Sequence, residues 1–411
     1  MKGPLVRHTR GDLPAIAVLP FFCIPHGTVD REFGEGIAFS LAATLMTFPD
    51  FNVISASSTL GYWADATPTL SQVSKLGARY LLFGHIVQAD QTLTFTYRLK
   101  DLETDEEHAF APLDIHLSDL HNVDAYIVER VITRILPRLR KAEIDKALTR
   151  SSAVFTSHET LLRAISAMHH LDDVSHQRAE RLLRNVQALD PRWAPPFAWH
   201  SRLVSMRIGM GRVENRRQAC LQSLQLATTA LDRDPENAQA LATAGHLHSY
   251  LLKDTARGMA MMQRAIDACP SEPYAWLMLG TSLAYVGRTK AATRHARHAL
   301  RLSPLDPYAS FFHSFLALCL YADGDYETAI HHANIAIEQS PNYSSTWCIL
   351  AASLAAAGHL EDAKRAGKKI IELEPQYPRI AKDTVPFQDA SQRNDYLARL
   401  VLAEVLDASS V

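Results

Sequence analysis

Residues 273–304 read PYAWLMLGTSLAYVGRTKAATRHARHALRLSP. Gly280, Ala292 and Ala299 sit 24, 12 and 5 residues before Pro304. The same offsets before Pro341 give Ala317, Ala329 and Ala336, and before Pro375 they give Ala351, Ala363 and Ile370. Before Pro191 they give Ala167, Ala179 and Val186. Small side chains at fixed spacing let two helices cross closely. A proline ends the second helix, because it lacks an amide donor and clashes with the preceding turn. Prolines recur in this way at 191, 235, 270, 304, 341 and 375, at intervals of 44, 35, 34, 37 and 34 residues. Self-similarity at such a period marks a stacked helical repeat.

A period near 34 residues resembles that of the tetratricopeptide repeat. Trp276 with Leu279, and Trp347 with Leu350, match that repeat's aromatic and leucine positions. The resemblance covers 273–375 and again 160–191; between them Ser223 and Gly258 occupy one small-residue slot. The 44-residue interval predicts a longer loop around Gly209–Asn215. Pro378 and Pro386 bracket a further loop, and Leu397, Leu400, Val401 and Val405 mark a capping helix over Asn394–Leu406. Solenoids need such a cap over their last apolar face. In the repeat family, fixed positions of the first helix line a concave groove. The resemblance places Tyr274, Leu277, Thr281, Tyr285, Phe311, Ser314, Leu318 and Tyr321 there. Four aromatics suit an apolar or extended peptide; packing against the neighbouring repeat is the competing use. The Lys/Asn/Arg clamp of chaperone-binding repeats is not evident in these slots.

The first third has a different pattern. Ala15–Phe21 is a nearly all-apolar run, which suits a strand covered on both faces. Ile37, Leu41 and Leu45 share one helix face within residues 33–48. Phe51–Ser55 reads as a second strand and Thr69–Gly77 as a short helix. Tyr80–Val87 and Thr92–Leu99 form a hairpin, with Leu93, Phe95, Tyr97 and Leu99 alternating with polar residues. An edge strand is expected near His108–Ile115. A long helix follows from a Ser118 cap to about Leu148, with Val128, Ile132, Ile135 and Leu139 on one face and Pro137 as a candidate kink.

The runs IAVLPF (16–21), FGEGIAFSLAATLMTFPDFNVISASST (33–59) and KLGARYLLFGHIVQADQTLTFTYRLKDLETDEE (75–107) resemble the TolB-amino-terminal-like, FlgO-like module. That resemblance implies an α/β module of the kind that precedes tetratricopeptide arrays in bacterial winged-helix regulators and class III adenylate cyclases. Gly84-His85 stands where the family usually has Gly-Ser, and no Trp follows the last strand. Residues 1–14 leave no room for a cyclase catalytic domain or a winged helix, so that chemistry is not carried over. The expected fold class is an α/β N-terminal module, a mixed sheet with helices, followed by an all-α tetratricopeptide solenoid. The expected division is a tail (1–14), the α/β domain (15–148), a linker (149–157), about six repeats (158–375), and a loop with the capping helix (376–411).

Composition narrows the function. The 411 residues carry 42 Lys+Arg against 44 Asp+Glu, a net charge of −2, which argues against a general nucleic-acid binder. Five widely spaced cysteines without a C-x-x-C pair suit reduced, buried thiols. Lys2, Arg7 and Arg10 before the apolar run Leu13–Pro25 mimic a secretory signal, but Pro14, Pro20 and Pro25 interrupt it. No apolar stretch approaches the ~18–20 residues of a membrane span. A cytoplasmic protein is expected, with a periplasmic one the lesser alternative.

No phosphate loop, zinc-protease or nucleophile-elbow motif occurs, and both G-x-G matches lack a third glycine. Glu32, Glu35, Asp65 and His85 are available to an enzyme, but no spacing selects them. His295 and His298 stand i, i+3 among Arg294, Arg297 and Arg301, and cationic neighbours disfavour a metal ion. Neither metal nor cofactor is expected. The same run, Arg288, Lys290, Arg294, Arg297 and Arg301, forms a basic face with Lys364, Arg365, Lys368 and Lys369. The expectation is a non-enzymatic interaction and regulatory protein that holds a protein partner in its groove and does not itself bind DNA; a homodimer is compatible with it. The alternative, by family analogy, is the effector half of a split cyclase or transcriptional system.

Overall fold

The computed structural model describes residues 13–24, 31–59, 77–116, 123–149, 156–303, 306 and 308–407. Two compact units divide the chain after His158.

In the first unit β1 (Ala15–Val18), β2 (Phe22–Ile24), β3 (Asn52–Val53), β4 (Tyr80–Ala89), β5 (Thr92–Asp101), β6 (Glu107–Ala109) and β7 (Leu113–His116) make one mixed sheet. Its main path runs β3-β1-β4-β5-β6; β2 also pairs with β4, and β7 with β5. β1 is parallel to β3 and β4, and β4 and β5 form the antiparallel hairpin. β1, a central strand paired on both edges, carries three buried residues in a row, the pattern of a strand covered on both faces. β5 alternates instead, burying Leu93, Phe95, Tyr97 and Leu99. The expected edge strand is two short ones, β6 and β7, both paired with β5.

Gly84 lies in β4 where a Cβ would stand 2.0 Å from the Thr96 carbonyl oxygen, so no larger residue fits against β5. Helix α1 (Arg31–Met46) buries Ile37, Leu41 and Leu45; α2 (Ala56–Thr59) is a single turn. The long helix α3 (Val123–Thr149) continues through Pro137, packs on α1 and buries Ile127, Val131, Ile132, Ile135 and Leu139, while Val128 is only half-buried. The short helix expected at Thr69–Gly77 and the Ser118 cap lie outside the described residues, apart from Gly77 itself.

Arg79 organises the bottom of this unit. Its guanidinium is 3.0 Å from Asp101 and 2.6 Å from Glu143, and Glu103 stands at 3.2 Å. The Tyr80 hydroxyl donates to Glu143 at 2.7 Å. Burial lifts the Glu143 carboxyl above the usual carboxylate range, against the opposing pull of Tyr80 and Arg79.

The second unit is all helix. Six helix pairs follow in order, α4 (Ser157–His169) and α5 (Asp173–Leu189) and then five in which the two helices pack together: α6 (Pro195–Gly209) with α7 (Arg216–Leu231), α8 (Ala238–Tyr250) with α9 (Thr255–Ala268), α10 (Pro273–Tyr285) with α11 (Thr289–Leu302), α12 (Ala309–Ala322) with α13 (Tyr326–Gln339), and α14 (Ser344–Ala356) with α15 (Leu360–Leu373). α16 (Tyr377–Thr384) and α17 (Ala390–Leu402) end it.

The small-residue slots are points of closest approach. A Cβ on Gly280 would lie 2.8 Å from the Ala292 carbonyl oxygen. In α8–α9 two glycines meet instead: a Cβ on Gly245 would lie 2.7 Å from the Gly258 carbonyl oxygen. In α6–α7 a serine pair fills the slot, each hydroxyl of Ser201 and Ser223 donating to the other's carbonyl at 2.8 and 2.7 Å. Trp276 and Trp347 make the same local bond, Nε1 donating to the Pro270 and Pro341 carbonyls at 2.7 and 2.8 Å. The longer loop spans Met210–Asn215, and Asn215 caps α7 through the Gln218 amide. The chain is thus an α/β unit followed by an all-α solenoid of stacked helix pairs.

Candidate functional site

The first helices of successive pairs converge on a cavity of about 90 Å³ inside the repeat unit. Of the eight residues expected in the groove, Tyr274, Leu277, Tyr285, Phe311, Ser314 and Leu318 line it. Thr281 and Tyr321 do not. Thr281 is fully buried and donates to the Leu277 carbonyl of its own helix. Tyr321 donates to Asp395 at 2.8 Å and packs on Phe387 and Tyr396. All eight are less than a tenth exposed.

Two contacts between distant segments enclose the space. The sixth pair meets the second: Arg216 on α7 is 2.6 Å from Glu374, and Ser345 donates to the Gly209 carbonyl at 2.8 Å. Gly211, at φ +68°, lies so close to Glu374 that a Cβ there would sit 2.7 Å from the carboxyl carbon. The C-terminal segment supplies another wall with Thr384, Pro386 and Tyr396. It is pinned by the Gln388 amide on the Tyr285 carbonyl at 2.7 Å and by Lys253 Nζ on the Val385 carbonyl at 2.7 Å. Chain that sequence alone reads as loop and cap therefore also closes the concave side. This is why the groove aromatics are withdrawn from the surface.

The electrostatics of the cavity are uneven. Glu374, 2% exposed at its side chain, neutralises Arg216 and accepts from Ser344 at 2.9 Å. Arg202, on α6, is 7% exposed and forms no ion pair with a carboxylate among the described residues. Its guanidinium carbon stands 4.2 Å from the Tyr274 ring centre, 4.9 Å from Tyr308 and 5.4 Å from Trp199. His246, on α8, is stacked on Tyr250 with ring centres 5.6 Å apart. Burial pulls its pKa down to about 4, so the ring is neutral at neutral pH. Burial also pushes the Cys348 thiol in the cavity wall up to about 12, which leaves it protonated. No disulfide forms among the five cysteines, all of them buried.

The basic runs divide. Arg288, Arg294, Arg297 and Arg301 are exposed on and before α11, with no carboxylate paired to them among the described residues; Lys290 meets Asp323 at 3.1 Å. On α15, by contrast, Lys364 pairs with Glu361 and Glu404, Arg365 with Asp362, and Lys369 with Glu372, while Lys368 is exposed. His295 and His298 pack their rings on Trp276, with centres 5.2 and 4.7 Å apart. Among the described residues no group of three or more His, Cys, Asp or Glu is placed to hold a metal. Glu32 and Glu35 lie on α1 and His85 on β4, while Asp65 falls outside the described residues.

The sequence did not place Arg202, His246, Tyr308, Arg216 or Glu374 in the groove. A signal for the first two exists. Arg202 and His246 each follow a close-approach residue, Ser201 or Gly245, just as Thr281 follows Gly280 and Leu318 follows Ala317. Carrying the register back through α8 and α6 places both on the concave side.

No family model matches the chain. It is similar to "Putative adenylate cyclase 3" of Rhizobium meliloti (strain 1021), 25% identical over 236 residues, 56% of this chain. The chain spans about 40% of the length of that relative. Among solved structures it is similar to the human IFIT1 dimer with m7Gppp-AAAA (16% identity, TM-score 0.47, covering 69% of this chain and 64% of that one). It is also similar to a thermophilic TPR protein of Thermus thermophilus (16% identity, TM-score 0.37, covering 48% of this chain and 98% of that one). Among the described residues no helix is long and apolar enough to cross a membrane.

Proposed function

We propose that this chain is a non-catalytic regulatory scaffold whose repeat unit holds a protein partner. The observation that carries this reading is the exposed guanidinium row Arg288, Arg294, Arg297 and Arg301, which no described carboxylate neutralises. The groove aromatics, withdrawn below a tenth exposure, are poorly placed for an extended peptide. The partner surface is therefore the outer face of α11, and the partner segment is acidic, since charge complementarity steers association and fixes register. Affinity capture from the source cells with the wild-type chain and with Arg294→Glu/Arg297→Glu tests it. A protein retained by the wild type and lost from the double variant supports the reading; equal retention on both contradicts it.

The likeness to the Rhizobium protein favours a second reading, in which the chain is the non-catalytic half of a cyclase-linked signalling system. A cyclase domain encoded beside this reading frame, with cyclic-nucleotide output that changes on co-expression of this chain, is the result it requires. Unchanged output counts against it.

A further inference from the structure

The geometry points to a binding site for a small aromatic or planar carboxylate in the cavity of the repeat unit, with Arg202 as its anion receptor. This inference is independent of the partner surface on α11.

Three side chains in the cavity wall are more than nine-tenths buried and carry polar atoms with no hydrogen-bond partner among the described residues: Arg202 Nε, His246 Nδ1 and the Tyr308 hydroxyl. Leaving one buried polar group unsatisfied costs about 1–3 kcal/mol, and more for a charged one. Three around one space mark a place where polar atoms of another molecule belong. The guanidinium carbon stands within 5 Å of the centres of both the Tyr274 and Tyr308 rings. That placement keeps its donor fork fixed, and a fixed fork matches the two oxygens of a carboxylate.

The ligand's net charge follows from the neighbours. Glu374 lines the same cavity and is already matched by Arg216. Arg202 is then the one cation left for the ligand among the described lining residues, so a monoanion balances the site. A dianion would leave a negative charge buried beside Glu374. The remaining wall is aromatic, with Tyr250, Phe311 and Tyr343 around the space, and ring faces favour a flat, apolar body. The volume of about 90 Å³ limits that body to a single small ring. The Tyr308 hydroxyl donates to the bound carboxylate, and the neutral His246 ring takes a polar substituent on the ligand.

Calorimetry and thermal denaturation of the full chain test this with benzoate and phenylacetate, their neutral amides, and inorganic phosphate. The expected result is that at least one carboxylate raises the melting temperature and binds with a Kd below about 1 mM, while its amide binds at least about tenfold more weakly. Arg202→Lys, which keeps the charge but loses the fork, and Tyr308→Phe, which removes only a hydroxyl, should each weaken that carboxylate about tenfold while melting normally without ligand. Tyr308→Phe keeps the test open if the arginine variant misfolds. The proposal is overturned if no carboxylate binds, if carboxylate and amide bind alike, if only phosphate binds, or if both variants bind as the wild type does.

Discussion

Each unit of this chain holds a guanidinium largely withdrawn from solvent, Arg79 half-buried and Arg202 buried, and the two sit in opposite settings. Arg79 of the α/β unit meets Asp101, Glu103 and Glu143 within 3.2 Å. Arg202 of the repeat unit meets three aromatic rings and no carboxylate among the described residues. A buried charge is tolerated when it is paired and hydrogen-bonded, and costs several kcal/mol when it is not. Arg79 therefore belongs to the architecture: it joins the start of β4, the end of β5 and α3. Arg202 is kept at a cost to stability, which is the mark of a residue held for binding.

The largest effect that would break this contrast is at Arg79. Arg79→Met strands the Glu143 and Asp101 carboxylates in a buried site, and should cost the α/β unit about 3–5 kcal/mol in denaturant unfolding. A loss below about 1 kcal/mol would show that the network is not structural.

Acid should distinguish the units next. Burial pulls His169, His200 and His246 of the repeat unit down to about 4. Between pH 6.5 and 4 the unfolded chain binds protons that these folded rings refuse, so stability falls as the pH drops through that window. The expected loss is on the order of 2 kcal/mol per buried ring, read as a falling midpoint in urea titrations between pH 7 and 4.5. A flat midpoint would mean the rings are accessible to protons.

A smaller effect sharpens the account of the repeat. A Cβ on Gly367 would lie 2.1 Å from the Ala403 carbonyl oxygen, where α15 meets the C-terminal cap. Gly367→Ala should cost about 1–3 kcal/mol and loosen residues 390–406 in hydrogen exchange. The outer arginines should matter least to stability: Arg294→Glu should move it by less than about 0.5 kcal/mol, whatever it does to a partner.

The sequence exposes the two units unequally. Repeats with Gly or Ala in all slots but one (Ile370), 273–375, could be read by counting back from proline. The α6–α7 pair could not, because its slot is filled by Ser201 and Ser223 and its loop is longer. Chemistry hides in that same stretch: Arg202 stands on the concave side of α6, and only the register would have shown it. The closure is a different matter. Glu374 lies 158 residues from Arg216, and Gln388 reaches Tyr285 across 103 residues. Such contacts depend on how far the repeats curve, which no local spacing encodes. In the α/β unit the alternation of β5 and the face of α1 were plain, whereas the carboxylates around Arg79 come from β5, its following turn and α3.

Arg202 itself gives the sharpest test. Denaturant unfolding of Arg202→Met without ligand should show a stability equal to or above wild type. Methionine removes a buried charge that no described carboxylate pairs, while the cation–π contacts it forfeits contribute about 2 kcal/mol. A loss of about 3 kcal/mol or more, matching that expected at Arg79, would contradict the claim that one arginine is structural and the other is held for a ligand.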